Sequence, residues 1–123
     1  MNLFEKEESY FIIGKCFDVH NELGPGFLEI VYKDALELEF TNADIKFGRE
    51  IRYDVNYKGT ILNHHFYADF VVFNSIVLEV KANRGISDQC IAQAINYLKV
   101  SGNKLAIIVN FGEKKLTSKR IVL

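Results

Sequence analysis

The chain has 123 residues, 49% of them hydrophobic, and a formal net charge of −1. This is enough chain to bury a core, and we predict a single domain over residues 1–123. No apolar run approaches the roughly 20 residues of a membrane-spanning helix. The acidic start MNLFEKEESY lacks the basic and apolar parts of a secretory signal, which favours a cytoplasmic location.

The near-neutral charge means that any binding of nucleic acid phosphates must come from a local patch, since such proteins are usually basic overall. Each basic cluster is also typical of an ordinary solvated surface. The two candidate clusters lie in the middle and near the end: Lys46, Arg49 and Arg52; Lys114, Lys115, Lys119 and Arg120.

The first part of the chain predicts two helices. A helix over 9–23 would begin at Ser9 as N-cap and would be ended by Gly24-Pro25-Gly26, which also permits a tight reversal. Its predicted apolar face consists of Ile13, Cys16, Phe17, His20 and Leu23. The second helix follows over about 27–41.

The middle of the chain predicts three strands. Apolar and polar residues alternate from 45 to 57, interrupted only by Arg49, which indicates a half-buried strand. Lys58-Gly59 would turn the chain into FYADFVVFNSIVLEVKA, residues 66–82, which reads as two apolar strands containing Asp69, Glu79 and Lys81.

The last part predicts a helix and two strands. Ser87 would cap a helix that ends at Gly102, with a core stripe of Ile91, Ala94, Ile95 and Leu98. The continuous apolar run 104–112 is typical of a central strand, and a short strand follows over about 117–123. The order ααβββαββ predicts a mixed α/β (α+β) domain with about five strands flanked by helices.

The apolar pattern also selects how the strands of 66–82 pair, because a one-residue slip moves every side chain to the other face. A two-residue turn at Asn74-Ser75 would mix charge with core. A three-residue connection, or a bulge, instead gives apolar pairs that share one face: Phe70 with Leu78, Ala68 with Val80 and Val72 with Ile76. The other face then carries Asp69 beside Glu79, Tyr67 beside Lys81 and Val71 beside Val77.

This register places two carboxylates together. Like charges about 5 Å apart repel by roughly 3 kcal/mol at an effective dielectric near 20, and Lys81 offsets only part of that. Because a small domain is stable by only about 5–15 kcal/mol, a purely structural pair is unfavourable, whereas a divalent cation such as Mg²⁺ would make the term attractive. The alternative is an edge hairpin with its charges in solvent, which would expose Val71 and Val77.

A third carboxylate, Glu29, shares a helix face with Tyr32, Leu36 and Phe40. Its position favours a side chain aimed inward, although acidic residues are also common in a first helical turn for dipole reasons alone. His64 and His65 occupy adjacent strand positions, point to opposite faces and cannot bind one metal together. Cys16 and Cys90 lie in apolar helical patterns without CxxC spacing, which predicts reduced core thiols.

These residues resemble a known family. Residues 26–32, GFLEIVY, match the signature of the GxxExxY proteins, and Asp69 followed by Glu79-Val80-Lys81 resembles the D…ExK core of the PD-(D/E)xK nuclease superfamily. Residues 93–98, QAINYL, resemble its QxxxY element, and Asn110-Phe111-Gly112 is a further match. ExK alone is a weak signal, but the ordered set is specific and spans about residue 9 to the end. Ala68 stands where many members have Pro.

The resemblance implies a PD-(D/E)xK nuclease-like core and a metal-dependent nuclease, with DNA as the expected substrate. Asp69 and Glu79 would bind Mg²⁺ or Mn²⁺, Glu29 would join them directly or through water, and Lys81 would orient the attacking water. Gln93 and Tyr97 would be accessory residues together with Tyr32, although the helical projection places Gln93 and Tyr97 on a solvated face as readily. The alternative is a non-catalytic nucleic-acid- or protein-binding module that retains the fold. The low net charge favours that module, or a partner or homodimer that supplies DNA contacts.

Overall fold

The architecture has the predicted element order. The computed structural model describes residues 3–123, with side chains described from residue 5 onward. The helices are α1 (Leu3–Leu23), α2 (Glu29–Asn42) and α3 (Asp88–Ser101). The strands are β1 (Phe47–Tyr57), β2 (Thr60–Val72), β3 (Ile76–Lys81), β4 (Leu105–Asn110) and β5 (Thr117–Val122). The predicted mixed fold of five strands flanked by helices is therefore confirmed.

The five strands form one sheet in the order β1-β2-β3-β4-β5. Neighbours are antiparallel except β3 and β4, which are parallel and joined by α3 as the crossover helix. β4 is buried at all six positions, which confirms the predicted central strand. No helix among the described residues is both long and apolar enough to cross a bilayer.

Helices cover both faces of the sheet and divide the core into two clusters. The α1/α2 cluster contains Ile12, Cys16, Val19, Tyr32, Leu36, Phe40, Phe70, Val72, Ile76, Leu78, Val80, Leu105, Ile107, Val109 and Phe111. The α3 cluster contains Ala68, Val77, Ala94, Tyr97, Leu98, Ala106 and Ile108. Side chains of β3 alternate between the clusters, as expected for a strand covered on both faces.

The start of α1 was predicted wrongly. The helix begins at Leu3, and Ser9 is a buried residue inside it whose Oγ donates to the Glu5 carbonyl at 2.5 Å. A serine hydroxyl can satisfy itself on the preceding helical turn, so it need not mark a helix end. Phe17, predicted on the apolar face, is 46% exposed, because the buried face passes instead through Ile12 and Val19.

The predicted ends of α1 and α3 at glycines, and the predicted cap of α3, are confirmed. Gly24 (φ 68°) and Gly26 (φ 109°) adopt left-handed backbone between α1 and α2, and the Gly24 amide donates to the His20 carbonyl. At α3, Ser87 Oγ accepts from the Cys90 amide at 3.2 Å, and Gly102 (φ 76°) ends the helix. Cys16 and Cys90 are both free thiols, but Cys90 is only partly buried.

The predicted three-residue connection between β2 and β3 is confirmed. The paired residues are Phe70 with Leu78, Val71 with Val77 and Val72 with Ile76. Phe73 and Asn74, within the connection, have φ values of 57° and 60°. In this register Asp69 and Glu79 come directly after the Phe70–Leu78 pair and face each other across the two strands.

The predicted face of Ala68 was wrong. It packs in the α3 cluster, whereas Phe70, two residues later, packs in the α1/α2 cluster with Val80. Residues two apart in a regular strand share a face, so the sheet is distorted between them. The pairing of β1 with β2 passes from Arg49–Phe70 to Ile51–Ala68, and Glu50, opposite Asp69, has a φ of 54°. The distortion therefore falls on Glu50 and Asp69.

Candidate active site

Asp69 and Glu79 lie side by side where the β2–β3 pairing ends. Glu79 Oε1 accepts a hydrogen bond from the Asp69 amide at 3.1 Å, and Asp69 Oδ2 accepts one from the Val80 amide at 2.7 Å. Both residues are buried, with 8% of Asp69 and 3% of Glu79 exposed. The main chain of each strand thus holds the carboxylate of the other.

The second oxygen of Asp69 binds a lysine. Asp69 Oδ1 accepts from Lys33 Nζ at 3.0 Å, and the same ammonium lies 2.5 Å from Glu50 Oε1. Sequence reasoning missed both Lys33 and Glu50. Two signals could have found them: Lys33 follows Glu29 by one helical turn, and Glu50 adjoins Arg49, which interrupts the alternation of β1.

The site is short of positive charge. Burial, followed by repulsion from Asp69, raises the pKa of Glu79 to about 9, while Lys81 acts in the opposite direction. Burial, followed by Asp69, also raises the pKa of Glu29 at the first turn of α2. Glu29 and Glu79 therefore retain protons more strongly than free carboxyls do, despite the two nearby lysines.

Lys81 opens onto a polar cavity of about 450 Å³ between the end of β3 and α3. The cavity is lined by Lys81, Asn83, Ser87, Gln89, Cys90, Ala92, Gln93 and Asn96. Its amide and hydroxyl groups supply both hydrogen-bond donors and acceptors around the Lys81 ammonium. An anionic substrate group could therefore be bound here next to the Lys81 ammonium.

The two QxxxY residues differ in their surroundings. Gln93 is half-buried and lines the Lys81 cavity. The alternative of a solvated face does not hold for Tyr97, because Tyr97 is 4% exposed and packs edge-on against Phe66. Burial, followed by the charges of Glu79 and Asp69, raises the pKa of its hydroxyl. The helical projection failed because α3 packs on the sheet through Ala94, Tyr97 and Leu98.

Tyr32 acts on the loop before α2. Its hydroxyl donates to the Gly24 carbonyl at 2.6 Å and accepts from the Phe27 amide at 3.2 Å, and its ring stacks on Phe111 at 4.6 Å. These contacts fix the loop that leads into Glu29. In the structure, Tyr32 thus positions the helix end that carries Glu29.

A hydrogen-bonded latch holds the loop that follows Lys81. Asn110 Oδ1 accepts from the Asn83 amide at 2.9 Å, and Asn110 Nδ2 donates to the Asn83 carbonyl at 3.0 Å. Glu113 Oε1 accepts from the Gly85 amide at 2.6 Å. Gly112 packs so closely that a Cβ there would lie 2.3 Å from the Asn83 carbonyl oxygen. The Asn110-Phe111-Gly112 segment thereby fixes the chain beyond Lys81.

Among the residues the structure describes, no three His, Cys, Asp or Glu side chains are grouped so as to hold a metal ion. His64 and His65 instead contact the rings of Phe66 and Tyr67. The buried pair of Asp69 and Glu79 nevertheless suits a hard divalent cation, because such ions prefer carboxylate oxygens and would relieve the repulsion that raises the Glu79 pKa.

Comparison with known proteins assigns the fold to a class of nucleases. The family model of the PD-(D/E)XK nuclease superfamily matches residues 6–121, so the chain belongs to that superfamily. Nucleases of this superfamily generally use divalent metal ions and act on nucleic acids.

A solved structure supports the fold. The crystal structure of the protein SSO0001 is similar to this chain with a TM-score of 0.59 at 19% sequence identity, over 76% of this chain. This chain matches only 50% of SSO0001, so it spans about half the length of that protein. No curated protein sequence matches the chain.

Replacing Glu79 by Gln tests the charge balance of the site. Because the folded pKa of about 9 exceeds the ordinary 4.5, the unfolded state releases the Glu79 proton at lower pH than the folded state does, so the fold loses stability as pH rises between these values. In metal-free buffer, the unfolding free energy of Glu79→Gln minus that of wild type should therefore increase by roughly 1–3 kcal/mol from pH 5 to pH 8. Urea unfolding at both pH values measures this, with Glu22→Gln, an exposed site on α1, as the control. A gap that is unchanged with pH contradicts it.

Replacing Gly112 by Ala tests the latch. The added methyl group would meet main-chain atoms of Asn83, so the variant should lose about 1–3 kcal/mol of unfolding free energy. Hydrogen exchange should accelerate at residues 83–85. Gly14→Ala is the control, because a Cβ there meets nothing within 4 Å and the helix should gain up to about 1 kcal/mol. Equal stability of Gly112→Ala and wild type would count against the latch.

Proposed function

We propose that the protein is a metal-dependent nuclease that hydrolyses phosphodiester bonds, with DNA as the substrate. The observation that carries the proposal is the buried, adjacent pair of Asp69 and Glu79 beside Lys81. A purely structural core would avoid two neighbouring acids whose charges raise each other's free energy. Membership of a nuclease superfamily supports a catalytic role for that arrangement.

Asp69 and Glu79 would hold Mg²⁺ or Mn²⁺, and Glu29 would join them directly or through a water molecule. A bound divalent cation supplies positive charge for the phosphate and lowers the pKa of coordinated water. Tyr32 and the loop it fixes would set the position of Glu29. The buried Tyr97 would support the site from α3, beside Glu79.

Lys81 would orient the attacking water and stabilise charge on the phosphate. Its ammonium has three donors and no acceptor, so it can bind phosphate oxygens and water together. Gln93, which lines the same cavity, would donate or accept a hydrogen bond from the substrate. The latch through Asn110 would keep this end of β3 fixed during the reaction.

Two loops that the latch joins, the one after β3 and the one after β4, would contact the nucleic acid backbone. Arg84 and Lys114 adjoin the Gly85–Glu113 hydrogen bond, and Lys115 follows in the same loop. All three are exposed, and none forms an ion pair within the described part of the chain. Two residues of the middle cluster differ, because Arg49 is paired with Asp34 and Glu37, and Arg52 with Asp54. The three loop cations are therefore more available for phosphates than these two arginines.

We also propose that the chain is a GxxExxY protein within the superfamily. Support comes from Gly26, Glu29 and Tyr32, which occupy the motif positions. Gly26 has a φ of 109°, which glycine adopts readily, and Tyr32 binds the loop on both sides of Pro25. The motif therefore builds the support for Glu29.

A second candidate is a non-catalytic binding module that retains the fold. The observation that favours it is the ion pair of Lys33 with Asp69, which already satisfies one oxygen of the proposed metal ligand. In such a module the Lys33 contact would be permanent, and the loop cations would serve binding alone.

Removing the Lys81 ammonium should separate binding from chemistry. Lys81→Ala should bind Mn²⁺ in calorimetry with an affinity near wild type, yet cleave at least about 100-fold more slowly, because charge stabilisation at the phosphate is lost. Cleavage is measured on linear, nicked, branched and single-stranded DNA and on RNA. Lys99→Ala, an exposed position on α3, is the control. Cleavage that persists in Lys81→Ala refutes the assigned role.

Neutralising Arg84, Lys114 and Lys115 should weaken binding to duplex DNA. Each phosphate contact contributes about 0.9 to the slope of log K against log salt concentration, so the triple Ala variant should lose up to about 2.7 from that slope. Fluorescence anisotropy in EDTA avoids cleavage. A matched control removes the exposed Lys58, Lys99 and Lys104, elsewhere on the surface. Equal slopes for the two triple variants would contradict the assignment of the loops.

A further inference from the structure

We propose that Lys33 is a built-in counter-ion that binds Asp69 when no metal is bound, and that metal binding transfers its ammonium fully to Glu50. The inference rests on the proposed metal site at Asp69 and Glu79. It assigns a role to two residues, Lys33 and Glu50, that the nuclease chemistry itself does not require.

The geometry places the ammonium between two acids of different accessibility. Lys33 Nζ lies 3.0 Å from Asp69 Oδ1 and 2.5 Å from Glu50 Oε1. The side chains of Lys33 and Asp69 are only 10% and 11% exposed, whereas 45% of Glu50 is exposed. Lys33 therefore neutralises the inner acid while its outer partner remains accessible to solvent.

An ammonium and a metal ion compete for the same oxygen. Lysine has donors but no lone pair when charged, so it cannot itself join a metal's coordination shell. A divalent cation bound by Asp69 would also repel the nearby positive charge of Lys33. Metal binding must therefore weaken the contact between Lys33 and Asp69, and the reverse holds by thermodynamic linkage.

Glu50 provides the second position for the ammonium. Without it, displacement from Asp69 would leave a largely buried charge unpaired, which is strongly unfavourable. The backbone of Glu50 is in the left-handed region, with a φ of 54°, which is uncommon for a residue with a side chain. The preceding Arg49 is bound to Asp34 and Glu37 of α2, which fixes this part of β1 beside Lys33.

The distortion of the sheet makes the arrangement possible. Glu50 lies opposite Asp69, between the Arg49–Phe70 and Ile51–Ala68 pairs, and its φ of 54° departs from extended strand geometry. Lys33 reaches both acids from α2 and so bridges the irregular pair. One ammonium thus satisfies two carboxylates that would otherwise repel each other, and releasing one of them leaves the other in place.

The test is a double-mutant cycle on metal affinity, measured by calorimetry of the metal-free protein with Mn²⁺. Lys33→Met should lower the Kd for Mn²⁺ by about tenfold, within the usual range of coupling between competing ligands. Glu50→Gln should raise the Kd severalfold when Lys33 is present, because the ammonium then has only Asp69. In the Lys33→Met background the effect of Glu50→Gln should largely disappear, since Glu50 acts through Lys33.

Lys15→Met is the matched control. Lys15 also pairs with an acid on α2, Glu39 at 3.9 Å, but it lies on α1 away from the carboxylate pair. Its replacement should leave the Kd within about twofold of wild type. If Lys33→Met does not fold, Lys33→Gln, which keeps a hydrogen-bond donor, gives the same comparison.

The outcomes separate this inference from the proposed function. Equal Kd values for wild type and Lys33→Met overturn the inference, even if the wild type cleaves nucleic acid. An effect of Glu50→Gln that is undiminished in the Lys33→Met background also overturns it. Tighter Mn²⁺ binding by Lys33→Met in a protein that cleaves no tested substrate supports the inference and refutes the nuclease. Failure of both proteins to bind Mn²⁺ overturns both.

Discussion

Asp69 and Glu79 are joined through the main chain, since the carboxylate of each accepts a hydrogen bond from an amide of the other's strand. These two hydrogen bonds fix two acids in the protein interior, where their negative charges repel each other. The surrounding elements are arranged around the resulting need for positive charge. α2 contributes Lys33, β3 contributes Lys81, and the distorted β1 contributes Glu50, which binds Lys33 in turn.

Support for the site comes from both ends of the fold. Tyr32 fixes the loop before Glu29 and stacks on Phe111, which belongs to the same segment as the latch. His20 Nε2 lies 2.9 Å from the Glu113 carbonyl oxygen, so α1 also contacts that segment. The helix that carries Glu29 and the loop that follows Lys81 therefore share one buried support. Small displacements of that support would therefore reach both Glu29 and the chain beyond Lys81.

Much of the fold follows from local patterns, and the deviations have physical causes. Register was predictable because Phe70, Val72, Leu78 and Ile76 form a consistent apolar set, which only one pairing allows. The caps at Ser87 and Gly102 were predictable because they depend on neighbouring residues alone. The N-cap predicted at Ser9 was wrong because a buried serine inside a helix and a capping serine have the same sequence signature. The sheet face predicted for Ala68 was wrong because the two-residue periodicity of side chains holds only in a regular strand.

The candidate site divides in the same way. The proximity of Asp69 and Glu79 was predictable from the register, because the two residues are ten positions apart along one hairpin. Lys33 and Glu50 join them from elements distant in sequence, and the positive φ of Glu50 has no signal in the amino acid itself. The burial of Tyr97 was missed because the helical projection put it away from the Ile91–Leu98 stripe, whereas its ring packs on Phe66.

The position of β5 at the end of the sheet has a consequence for how copies of the chain meet. β5 pairs with β4 on one side, and its other side has no strand partner in the sheet. Unpaired strand edges are templates for aggregation, and charged side chains along them oppose it. Lys119 and Arg120 are exposed on this strand. Replacing them by apolar residues would remove a barrier to intermolecular strand addition. The carboxylate pair would keep its composition, because it lies on β2 and β3, three and two strands away from β5.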